Sequence, residues 1–166
     1  MIICGIDPGL KGGIVFLNEK AKILEKAVMP PNATDLHNYL RQVFTYLKFQ
    51  SDDIRVYLEK SQAFPGQGSV SMFNYGTHYG EIRGVLTSLE KTFELVRPNT
   101  WTRILHADYK NLATPKEKSL KACSKLFAIR DFIATPRSVK PHEGLIDAAL
   151  IAYYGLIKEK EHRHTL

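Results

Sequence analysis

The chain has 166 residues, 44% of them hydrophobic and 24% charged, which suits one folded domain over residues 1–166 and excludes a disordered tail. Lys and Arg number 23 against 17 Asp and Glu, so the net charge of +6 is compatible with a phosphate-bearing partner without requiring one. Cys4 and Cys123 lie far apart, which excludes a zinc ribbon or a disulfide scaffold, and Cys4 reads as a small buried hydrophobe. No run of about 18 apolar residues exists to span a membrane. Met1–Ile6 has no basic segment or cleavage site of a signal peptide, so a cytoplasmic protein is expected.

Residues 2–6 read as a short buried strand ending at Asp7-Pro8-Gly9. Glycines 9, 12 and 13 turn the chain into a second strand, Ile14–Leu17, and residues 22–29 return as a third. After Pro30-Pro31, a helical period runs from Asp35 through Leu36, Tyr39, Leu40, Val43, Phe44 and Leu47. Ile54–Leu58 is a fourth strand, leading into Glu59. A stretch rich in Gly, Ser and aromatics, 63–80, passes into a helix through Ile82, Val85, Leu86 and Leu89. Residues 92–96 form a fifth strand closed by Arg97-Pro98, and Trp101 is expected to pack beneath the following loop. Thr114-Pro115-Lys116-Glu117 has the form of a capping box with Pro at the first helical position. A loop from Arg130 to Pro141 precedes a last helix over about 142–158. The order βββ-α-β-α-β-α-α predicts a mixed sheet with helices on its faces.

Four acids stand apart from the solvated majority. Asp7 ends an apolar strand and opens a glycine-rich turn; an Asx turn is its plainer reading. Glu59 ends another strand, where a simple strand-end charge would also fit. Asp147 lies in Leu145–Tyr154, a segment apolar almost all round, where a buried carboxylate must find a partner, either a structural cation or a bound ion. Glu143 lies one helical turn earlier on the same face, and two like charges so spaced repel unless a cation sits between them. If the first and fourth strands are neighbours, all four acids can reach one point. Oxygen ligands without His or Cys clusters suit Mg²⁺ or Mn²⁺, and such a site activates water against a phosphodiester.

Gly5-Ile6-Asp7-Pro8-Gly9, Leu58-Glu59-Lys60 and the run from His142 to Ala152 resemble the RuvC family of Holliday junction resolvases. Phe64–Gly68, Ser71–Gly76, Tyr79–Gly84 and Arg97–Trp101 are similar to its phage and phage-derived bacterial branch. The resemblance implies an α/β, RNase H-like fold with a five-stranded mixed sheet in order 3-2-1-4-5 flanked by helices. It implies that Asp7, Glu59, Glu143 and Asp147 are catalytic metal ligands, although related sequences often carry Asp or His in place of Glu143. Lys118-Ser119 resembles the family's Lys-Ser pair, whose lysine lies near the scissile phosphate, a task open also to Lys116 and Lys140, while solvated lysines are the alternative. Phe64 and Phe73 fall where an aromatic reaches the junction centre and could stack on a base or simply join the core. Lys60, Arg83, Arg97, Arg103 and His142 complete the expected DNA contacts, and His142 alternatively serves as a ligand or base.

The expected activity is therefore paired, Mg²⁺-dependent nicking of four-way junctions by a homodimer, with Mn²⁺ as a substitute and branch-migration machinery as a candidate partner. Gly76, Gly80 and Gly84 would permit close helix approach at a dyad, or tight packing on the sheet. The rivals are a nuclease of the same fold acting on flaps, forks or structured RNA, and a junction-binding protein without activity. A sugar kinase or actin-like ATPase shares the Asp-x-Gly turn but needs two such domains.

Overall fold

The computed structural model describes residues 1–61, 66 and 68–164; Phe64 lies outside the described residues. Strands β1 (Ile2–Asp7), β2 (Gly13–Asn18) and β3 (Ile23–Val28) form the antiparallel meander. Helix α1 (Ala33–Lys48) leads to β4 (Ile54–Glu59), and α2 (Ser69–Ser88) leads to β5 (Phe93–Val96). Helices α3 (Pro98–Leu105), α4 (Pro115–Leu126) and α5 (Glu143–His164) complete the described elements apart from short 3-10 turns. The sheet order is β3-β2-β1-β4-β5, with β4 parallel to both β1 and β5. This is the five-stranded mixed sheet expected from the sequence. Among the described residues no helix is long and apolar enough to cross a membrane.

The period-two pleat assigns each strand residue to one of two cores. Ile2, Cys4 and Ile6 of β1 and Val56 and Leu58 of β4 pack with the apolar stripe of α1, Leu36, Leu40, Val43, Phe44 and Leu47. The opposite face, carrying Ile3 and Tyr57, is covered by residues of α3, α4 and α5. Cys4 is fully buried, as expected of a small hydrophobe. Over residues 145–154 helix α5 is apolar almost all round, because β1 and β2 press on one side and α4 on another.

Four local expectations are corrected. Arg97-Pro98 does not merely close β5: Pro98 is the first residue of α3, where its fixed φ and missing N–H suit a helix start. Helix α2 begins at Ser69 and takes in most of the Gly- and aromatic-rich stretch. Helix α1 starts at Ala33, because the Asn32 side chain accepts the Asp35 backbone N–H and caps it. Helix α5 continues to His164. The capping box of α4 forms as predicted, with Thr114 Oγ1 accepting from Glu117 N–H and Glu117 Oε2 accepting from Thr114 N–H.

Candidate active site

Asp7 and Glu59 occupy the ends of adjacent parallel strands, one residue beyond the Ile6–Leu58 pair. Pleat parity turns both toward the α5 face, with Ile3 and Tyr57. Helix α5 reaches them because glycine leaves room beneath it: a Cβ on Gly5 would stand 2.2 Å from the Ala148 carbonyl oxygen. That close approach sets Asp147 beside the strand ends. Glu143, one turn earlier, stays exposed and pairs with Lys116 at 2.7 Å.

The electrostatics follow from this placement. Burial drives the Asp7 carboxyl well above the ordinary carboxylate range, and the neighbouring Asp147 and Glu59 charges add to the rise. Burial pushes Glu59 up to about 7; the Trp101 indole opposes the rise and Asp147 adds to it. Burial pushes Asp147 up to about 6; the Ser119 hydroxyl holds it down, Glu143 pushes it up, and Lys116 holds it down. Asp147 Oδ1 is buried with no hydrogen-bond partner among the described residues. Three half-buried acids thus repel one another, with a fourth at the rim.

Among the described residues, no three His, Cys, Asp or Glu side chains are clasped into a ready-made metal cage. The chemistry of the donors nevertheless fits a hard divalent cation: all oxygen, closely neighbouring, and including an orphaned buried carboxylate oxygen. Asp7, Glu59, Asp147 and Glu143 are the residues that would hold it.

A cavity of about 490 Å³ opens beside Asp7, Glu143 and Asp147. Its far wall is a stripe of α2, Ser71, Asn74, Tyr75 and His78, spaced to share one helix face. Glu59 does not line this cavity. It is engaged from the α3 side, where Trp101 Nε1 donates to its Oε2 at 2.6 Å.

The expected DNA-contacting residues divide by position. Arg103 and Lys118 line one cleft of about 600 Å³ with Lys110 and His106. Arg97 precedes α3 and is exposed, as is Lys140. Arg83 is exposed on α2, its guanidinium 5.8 Å from the Tyr79 ring centre. Lys60 follows Glu59, half-buried, its backbone N–H donating to Val96 O. Phe73 is 74% exposed and therefore does not join the core. His142 acts locally, its Nδ1 accepting the Leu145 N–H at the start of α5. Gly76, Gly80 and Gly84 face open space, so tight packing on the sheet is not their role.

Trp101 and His106, and the Asn74 and His78 positions of the α2 wall, were not singled out by the sequence as site residues, and Ser119 entered only as the companion of Lys118. Trp101 could have been found by its spacing from Ile104 and Leu105 after a helix-starting Pro98. Nothing in the sequence ties it to Glu59, 42 residues away.

Solved structures share this fold. A Thermus thermophilus RuvC structure matches with a TM-score of 0.59 and 19% identity, covering 97% of each chain. Thermus thermophilus RuvC in complex with a Holliday junction substrate matches with a TM-score of 0.59 and 13% identity over 96% of each chain. The fold is RuvC-like. The yeast mitochondrial Holliday junction resolvase Ydc2 shares the RuvC-like fold too, with a TM-score of 0.61 and 13% identity, over 98% of this chain and 80% of that one. No family model matches the sequence, and none of the curated proteins does.

Proposed function

We propose that the chain is a structure-selective endonuclease that resolves Holliday junctions and related branched DNA as a single RNase H-like domain. The observation that carries this reading is the gathering of Asp7, Glu59 and Asp147 at one end of a RuvC-like sheet, half-buried and mutually repelling, with the buried Asp147 Oδ1 left without a partner among the described residues. A protein does not retain such a cluster for stability, since each unpaired buried charge opposes folding. Two of the solved structures with this fold are described as a Holliday junction resolvase and as a RuvC bound to a Holliday junction substrate. The segments around Phe73 and Arg97 favour the phage-type branch.

In this proposal Asp7, Glu59, Glu143 and Asp147 hold Mg²⁺, with Mn²⁺ as a substitute. When bound there, two such ions supply charge neutralisation at the scissile phosphate and a more acidic water. The chain itself orients the strand. Arg103 and Lys118 hold backbone phosphates on one flank, giving salt-dependent affinity, while the α2 wall faces the cavity from the other. Hydrolysis adds water across the P–O3′ bond, leaving a 5′-phosphate and a 3′-hydroxyl. Lys116 occupies Glu143 in the free protein and would turn to phosphate when Glu143 takes up a cation. The exposed Phe73 and the open Gly76, Gly80 and Gly84 lie on one face of α2, where a second copy would complete a two-fold dimer.

The deciding experiment is the product pattern on a mobile four-way junction with end-labelled arms in Mg²⁺. Paired, symmetric nicks are expected. Cleavage confined to flaps, forks or RNA hairpins would move the assignment to another nuclease of this fold. The second reading is junction binding without cleavage. Tight binding with no cutting in either Mg²⁺ or Mn²⁺ would establish it.

A further inference from the structure

Three of the four acids are touched from one direction, by α3 and α4. Trp101 Nε1 donates to Glu59 Oε2 at 2.6 Å, a short charge-assisted bond. The Ser119 hydroxyl opposes the rise of the Asp147 carboxyl, and Ser119 Oγ lies 3.2 Å from His106 Nε2. Lys116 meets Glu143, but that pair is exposed. The inner contacts are different: Trp101, His106 and Ser119 are all buried. They are also joined to one another, since the Trp101 and His106 rings meet edge to face at 5.4 Å.

Proton counting gives the direction a Ser119 chain would take. A serine hydroxyl has one proton, so if it donates to the Asp147 carboxylate it must accept from His106. His106 then carries its proton on Nε2. Two carboxylates that repel each other rotate apart unless something outside the pair holds them; here the buried Trp101 donates to Glu59, and the buried Ser119 hydroxyl opposes the rise of Asp147.

We propose that Trp101 and the Ser119–His106 pair are positioning residues, which hold the Glu59 and Asp147 carboxylates in the orientation a divalent cation needs. Segment 98–126 is then part of the ion-holding machinery as well as packing for α5. This inference rests on the reading of the acids as cation ligands. Outer donors of this kind are commonly worth a tenfold or greater share of metal affinity.

The test is isothermal titration of the full chain with Mn²⁺, paired with thermal melts in EDTA. Trp101→Phe keeps an aromatic ring and loses the donor; Ser119→Ala loses the hydroxyl; Ser119→Thr keeps it. Trp101→Phe and Ser119→Ala should each bind Mn²⁺ about 10–100-fold more weakly, with Ser119→Thr within about threefold of wild type. Melting temperatures in EDTA should stay close to wild type for all three. Mn²⁺ binding by Trp101→Phe and Ser119→Ala within about twofold of wild type overturns the proposal, as does equal loss in Ser119→Thr and Ser119→Ala. Should Trp101→Phe fail to fold, the two Ser119 variants decide. If wild type itself takes up no Mn²⁺, the ligand reading of the acids fails and this inference goes with it. A wild type that binds beside unaffected variants removes only the positioning role.

Discussion

Gly144 lies directly on Lys11: a Cβ there would stand 2.2 Å from the Lys11 carbonyl oxygen and 2.6 Å from the Gly12 Cα. Both neighbours are backbone, so neither can swing aside. The first turn of α5, with Glu143 before it and Asp147 after it, is therefore seated on the β1–β2 turn that follows Asp7. Gly144→Ala should lift this end of the helix, destabilising the protein by about 1–3 kcal/mol. Junction cleavage should fall more steeply than stability accounts for, which urea unfolding and a cleavage assay on the same preparation would show.

Asp7→Asn and Asp147→Asn should abolish nicking of a synthetic four-way junction while leaving junction binding in place, as read by gel shift beside denaturing gels. Wild-type cleavage by either variant in Mg²⁺ would remove the catalytic assignment. The same changes should stabilise the metal-free protein at pH 8. Raising Asp147 from 3.8 to about 6 corresponds to roughly 3 kcal/mol of opposition to its charged form, so relief of about 1–3 kcal/mol is expected.

Stability of the metal-free protein should fall as pH rises from about 4 to about 7. Asp147 and Glu59 have folded-state values of about 6 and about 7, above their ordinary 3.8 and 4.5, and Asp7 is raised as well. In that window the folded chain keeps protons that the unfolded chain has released, so each step up in pH favours unfolding. Mg²⁺ should reverse the trend, raising the melting temperature more at pH 8 than at pH 5. Melts across pH in EDTA and in Mg²⁺ measure both halves. A flat pH profile in EDTA would contradict the buried-acid picture.

The Lys116–Glu143 pair is exposed on both sides, so Lys116→Ala should change stability by less than about 0.5 kcal/mol. If Lys116 turns to phosphate on binding, junction affinity should fall and the slope of log affinity against log salt should lessen by about 1. Affinity measured at several salt concentrations gives that slope directly.

The strands were legible because each is short and bounded by Gly, Pro or polar turns, and α1 because its apolar residues keep one period. Helix α3 was hidden by its length, eight residues opened by a proline that reads equally as a strand stop. Asp147 stood out because it interrupts an apolar segment, which is a local signal. Trp101 and His106 gave no signal of a site role: an aromatic ring in a polar neighbourhood reads as packing until the carboxylate across the fold is placed beside it. Lys118 and Ser119 were read by resemblance alone, and the chain from Ser119 to Asp147 depends on how α4 leans on α5.

Trp101 is the chain's single tryptophan, and its indole nitrogen is bonded to a carboxylate of the site. Light absorbed by the protein at the red edge of its ultraviolet band is therefore re-emitted from one place, next to Glu59. Occupancy of the acids can be followed through that intrinsic glow, in solution and in real time, without attaching a dye or removing a native side chain.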